Sequence, residues 1–206
     1  MDLRRTTLWL ILGSVYIVVH KALHALIAGL GHSAAGTVMQ ALWFGSTLTL
    51  ILFAYQFLRE ARPRDLTLRC CLVAIMVLTG MVMMAHLPFL SLSRAPVGHR
   101  VLFGGASMLN AIALFVFVVR LERLMAAGSP LRAPLRLLTW ALGATVALAL
   151  VGAAYMSVYM TTGTEVAPPR HLQPVAVLSF VFTHGMTMWF LVRFWRLESY
   201  EGLVAE

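Results

Sequence analysis

Acidic side chains are missing from every long apolar stretch of this chain. Its eight Asp and Glu residues all fall between or outside six apolar runs, at residues 8–30, 37–58, 70–90, 101–119, 137–160 and 172–192. That absence weighs against proton-coupled or cation transport, whose pathways use intramembrane carboxylates. It also removes the counter-ion that a retinal Schiff base on Lys21, the single lysine, would need. Cysteine occurs only as the adjacent pair Cys70-Cys71, which excludes a disulfide framework and a Cys-x-x-Cys motif. Charged residues make up 12% of the chain, about half the share typical of a soluble domain. No Gly-rich phosphate loop and no His-Glu-x-x-His zinc motif is present.

What remains is apolar. Hydrophobic residues account for 60% of the 206 positions, and the mean hydropathy is +0.84. Runs of about 18 or more apolar residues are long enough to cross a bilayer as helices. Six such runs predict an all-α polytopic bundle that occupies residues 1–206 as one transmembrane domain. Turn residues such as Arg62-Pro63, Ser129-Pro130 and Pro168-Pro169 separate the spans. The first run follows Arg4-Arg5 but exceeds the 7–15 residues of a cleavable signal core, which predicts a retained helix.

Charge bias sets the expected orientation. With the N-terminus in the cytoplasm, twelve arginines lie inside and only Arg94, Arg100 and Arg170 lie outside. Both termini are then cytoplasmic, in an inner membrane. The net charge of +8 therefore reads as a topology signal and not as a nucleic-acid surface.

An internal echo accompanies the runs. Three inward-running helices end in Phe-x-x-[Arg/Gln]-[Leu/Phe]-x-Arg, at Phe53 to Arg59, Phe117 to Arg123 and Phe190 to Arg196. The pattern fits three related helical hairpins. It also fits a plain aromatic and arginine collar at each inward end.

The histidines carry the functional expectation. On this topology six of seven belong to the outer half. His32, His99 and His171 fall at the outer interface, His24 and His86 roughly 8–10 Å below it, and His20 and His184 deeper still. His20 and His24 are four residues apart and share a helix face. Imidazoles from different helices hold haem iron in membrane bundles, so depth pairs His20 with His184 and His24 with His86. His99 and His171 are further candidate ligands. Arg100 and Arg170 would match haem propionates, since Arg binds carboxylates bidentately. Gly13, Gly45, Gly80, Gly104, Gly105 and Gly152 would allow close packing around such a group.

Copper is the alternative cofactor, because Met81, Met83 and Met84 lie near His86, and Met186 and Met188 near His184. The bland reading gives the outer histidines an interfacial role and the deeper ones interhelical hydrogen bonds. Gln40, Gln56 and Asn110 would likewise bond between helices.

Ser107 on the fourth span and His184 on the sixth resemble the layout of the rhomboid intramembrane serine proteases. That resemblance would imply a Ser–His catalytic pair. Met108 stands where the family has glycine, and neither a glycine-rich helix after His184-Gly185 nor a large first loop is present. A single His20-x-x-x-His24 box is too little for diiron chemistry.

The expectation is thus a histidine-ligated subunit, carrying b-type haem, that passes electrons between a quinol and an external carrier. It would work beside other membrane subunits. The competing expectation is a cofactor-free structural subunit or small transporter.

Overall fold

The computed structural model describes residues 2–22, 34–86, 97–126, 128–162 and 172–197. They form six helices: α1 (Leu3–Ala22), α2 (Ala34–Glu60), α3 (Leu66–His86), α4 (Val97–Leu124), α5 (Arg132–Thr162) and α6 (Leu172–Trp195). No strand occurs among the described residues. Helices α2 to α6 are each long and apolar enough to cross a membrane. The described part of α1 spans 20 residues and holds Arg4, Arg5 and Lys21. Residues 23–30, where its apolar run continues, lie outside the described residues.

Several helices run past the limits that hydropathy sets. The fourth span was expected at 101–119, yet α4 extends to Leu124 and takes in Arg120, Glu122 and Arg123. Charged residues at a helix end keep the backbone helical while their side chains reach polar surroundings, so hydropathy marks the apolar middle and not the end.

Polar side chains fix where the helices start. Asp2 Oδ1 accepts the Arg5 N–H at 2.7 Å, and Asp65 Oδ1 accepts the Leu68 N–H at 2.8 Å. Both are N-caps that satisfy otherwise unpaired first-turn donors. Before α5, Ser129 Oγ accepts the Leu131 N–H at 3.3 Å. After α2 the chain turns through Arg62, whose φ of 43° is left-handed, and Pro63 stops the helix from resuming.

Each helix packs on its neighbours in the chain, and α1 closes on α6. The result is a closed ring in the order α1 to α6. Arg4 lies over the Trp195 ring at 5.4 Å, which puts the start of α1 and the end of α6 at the same end of the ring. The twelve clustered arginines share that end, hereafter the arginine end.

The core lies toward the arginine end, and the repeated segment builds its centre. Phe57, Leu121 and Phe194 occupy the same motif position on α2, α4 and α6, and all three are fully buried. Phe57 sits 5.6 Å from Phe117 and 5.9 Å from Phe194, and Phe53 sits 5.7 Å from Phe194. Alternate helices of the ring therefore meet in an aromatic plug. Lipid tails are as apolar as these rings, so close packing holds the plug more than escape from water does.

The opposite end is looser. Residues 150–154 of α5 and 174–178 of α6 are exposed without a break, more than one full turn in each case. No face of either helix is covered there.

Candidate functional site

Of the expected ligands, His20, His86 and His99 are described at helix ends on this looser side, hereafter the histidine end. His184 lies in the middle of α6. Its Nδ1 is 2.9 Å from the Phe180 carbonyl oxygen, one turn earlier, and its ring is centred 4.0 Å from the Phe180 ring. A carbonyl oxygen can only accept, so Nδ1 carries the proton. In its neutral form a ring so held presents the Nε2 lone pair, the atom that ligates a metal when Nδ1 is tied to backbone.

His20 lies in the last turns of α1, with its Nε2 buried and its ring 5.7 Å from that of Tyr16. The Tyr16 hydroxyl donates to the Met39 carbonyl of α2 at 2.6 Å. Lower on the same face, a Cβ at Gly13 would stand 2.9 Å from Thr49 Oγ1 and 3.1 Å from the Ser46 carbonyl. Gly13, Tyr16 and His20 follow helical spacing, so this stripe of α1 faces α2.

His184 shares a stripe of α6 with Trp195, three turns on, and Trp195 sits beneath Arg4 of α1. That stripe faces α1. The helices that carry His20 and His184 are ring neighbours.

His99 is exposed in the first turn of α4, and the backbone of Arg100 follows it. His86 closes α3. His24, His32, Arg170 and His171 lie outside the described residues, and the side chains of Lys21, His86 and Arg100 also do. No cluster of three or more His, Cys, Asp or Glu suited to a metal ion occurs among the described residues. Met81 and Met84 are exposed.

Of the six glycines expected to permit close packing, Gly13 alone meets a tight neighbour. Gly45, Gly80, Gly104, Gly105 and Gly152 have nothing within 4 Å of an added Cβ. Their neighbours follow from where helices cross, which composition does not reveal. Ser107 is half-buried on α4, with α5 between it and α6 in the ring, and it makes no hydrogen bond to His184.

Other polar residues tie helices together. Thr145 and Thr183 hydroxyls are 2.9 Å apart across α5 and α6, and Thr79 donates to Asn110 Oδ1 at 3.5 Å across α3 and α4. Gln56 of α2 is buried, and its Oε1 has no hydrogen-bond partner among the described residues. The acidic residues at the arginine end were not expected to bind helices together, yet they do. Both Glu60 carboxylate oxygens accept the Leu3 N–H at 3.0 Å, and Thr139 donates to Glu122 Oε2 at 3.0 Å. Their signal was present in the sequence as carboxylates placed just past the inward ends of the second and fourth spans.

No protein-family model matches the chain, and no curated protein or solved structure shows significant similarity to it.

Proposed function

We propose that this chain is a membrane-embedded subunit that holds a b-type haem through histidine near one face of an inner membrane. It would pass electrons between a quinol and an external carrier, in company with other membrane subunits. The observation that carries the reading is His184: its Nδ1 is anchored to the Phe180 carbonyl, so Nε2 is left to bind a metal. The loose packing of the histidine end supports it, because a porphyrin needs a slot that the plugged arginine end does not offer.

In this reading His184 binds through Nε2, with His20, His24, His86, His99 and His171 as candidate partners. Arg100 and Arg170 would meet the propionates. When bound, the haem would supply one-electron chemistry at its iron. The arginine bias favours a cytoplasmic arginine end and a histidine end facing out. Copper held by histidine and methionine would need the same Nε2.

A cofactor-free structural subunit is the second reading. It is favoured by the threonine and asparagine ties between helices. An optical spectrum of the purified chain, air-oxidised and then dithionite-reduced, decides between them. A Soret band whose companions sharpen on reduction, and which His184→Ala abolishes, supports haem. A featureless spectrum from haem-replete cells, together with no bound copper, leaves the structural reading.

A further inference from the structure

Four exposed aromatic residues stand one helical turn inward from an exposed arginine at the arginine end. On α1 and α5 the arginine comes first: Arg5 precedes Trp9, and Arg136 precedes Trp140. On α2 and α6 the order reverses with the direction of the chain: Tyr55 precedes Arg59, and Trp189 precedes Arg193. The rings are 53%, 71%, 50% and 37% exposed in that order, and all four arginines are exposed. Residues at i and i+4 share a face, about 6 Å apart along the axis. Each pair therefore presents a ring and, one turn nearer the arginine end, a cation on the same outward face of its helix.

Because α1 closes on α6, the four helices form one continuous sector, α5–α6–α1–α2. The remaining sector differs. Helix α3 has no aromatic residue, and the exposed large residues on α4 are Val101, Leu102, Leu109 and Val116. One turn inward from Arg69 is Val73, and one turn inward from Arg123 is Val119.

We propose that the four pairs bind the headgroups of anionic glycerophospholipids, which makes the α5–α6–α1–α2 sector a lipid-selective face. Trp and Tyr settle at the glycerol level of a bilayer, where an apolar body and a polar edge are both satisfied. The guanidinium one turn outward is then level with the phosphate, which it binds through two parallel hydrogen bonds. A net negative lipid adds an attraction that a zwitterionic one lacks. Among the described residues, Arg5 alone of the four arginines has a carboxylate in reach, Asp2 at 3.8 Å, in a pair open to water.

The test uses the full chain in mild detergent, titrated with phosphatidylglycerol or phosphatidylcholine. Retained lipid and thermal midpoint are both read. The wild-type chain should retain phosphatidylglycerol at least about fivefold over phosphatidylcholine, the equivalent of one arginine–headgroup contact. A quadruple variant, Arg5→Gln, Arg59→Gln, Arg136→Gln and Arg193→Gln, should lose that preference. A second quadruple, Arg64→Gln, Arg69→Gln, Arg123→Gln and Arg132→Gln, removes the same charge where no aromatic lies a turn inward and should keep it.

Equal loss in both quadruples means that net charge alone attracts lipid and overturns the proposal. So does a wild-type chain without preference, a result that needs no variant to fold. Trp9→Leu with Trp140→Leu keeps every charge and should still weaken retention; unchanged retention refutes the pairing.

Discussion

Arg120 on α4 aims two nitrogens at a single carboxylate oxygen of Asp65, with Nη2 at 2.6 Å and Nε at 2.9 Å from Oδ2. The other oxygen of Asp65 caps α3 by accepting the Leu68 N–H. One side chain thus starts a helix and fastens it to its neighbour. The Arg120 hydrogen bonds, followed by the backbone N–H of Leu68, hold the Asp65 carboxyl below its ordinary value. A lowered folded-state pKa stabilises the fold fully above the ordinary carboxylate range and loses that effect as pH falls through the lowered value. The thermal midpoint in detergent should therefore drop on acidification from about pH 5 to about pH 2. Asp65→Asn should lower the midpoint at neutral pH and flatten part of that acid slope; an unchanged slope would show that the pair is energetically idle.

Gly13 sits where α1 lies tight against α2. Gly13→Ala places a methyl against Thr49 Oγ1 and the Ser46 backbone, and backbone cannot swing aside. Overpacking of this kind costs about 1–3 kcal/mol. Gly45→Ala, with open space around it, should stay within about 0.5 kcal/mol of wild type. Unfolding of both variants in mixed detergent micelles gives the comparison, and equal effects would remove the close-approach argument.

The aromatic plug should tolerate truncation poorly. Phe57 contacts rings from both α4 and α6. In lipid the transfer contribution is small, because the unfolded helices also lie among apolar tails. The cavity term remains, at about 24 cal/mol per Å³ over roughly 100 Å³, and gives about 2 kcal/mol for Phe57→Ala. Phe57→Leu should recover most of that loss. The same unfolding assay measures both.

Among the described residues, the Thr183 hydroxyl finds its partners on α5. Thr183→Val keeps its shape and removes the link to Thr145 and Ala141. Interhelical hydrogen bonds in membranes average about 0.6 kcal/mol, so this variant should lose about that much. A loss several times larger would mean that the α5–α6 seam depends on this contact far more than its geometry implies.

How far the sequence could be read follows from what each feature depends on. Span positions were legible because hydropathy is a local property, and the arginine clusters at residues 59–69 and 120–136 mark the turns directly. The likeness of the segments starting at Phe53, Phe117 and Phe190 was legible too. Their meeting in one plug was not, because it requires α2, α4 and α6 to face a common centre. His20 and His184 could be ranked by depth from a rise per residue. Which neighbour each helix stripe faces depends on helix rotation, and Gly13 and Trp195 report it only once their contacts are known. Glu60 looked like a loop charge and proved to cap a helix that begins 57 residues earlier in the chain.

Ring closure also constrains the order in which the molecule can be made. Helix α6 follows the other five in the chain, yet it supplies Phe190 and Phe194 to the plug and, among the described residues, the extensive contact with α1 that shuts the ring. A nascent chain that has inserted five helices holds an open crescent, with Phe53, Phe57 and Phe117 turned toward lipid. Biogenesis must shelter that crescent until residues 172–195 arrive, so a ribosome stalled before them leaves a sticky, unfinished intermediate for the membrane's quality-control proteases.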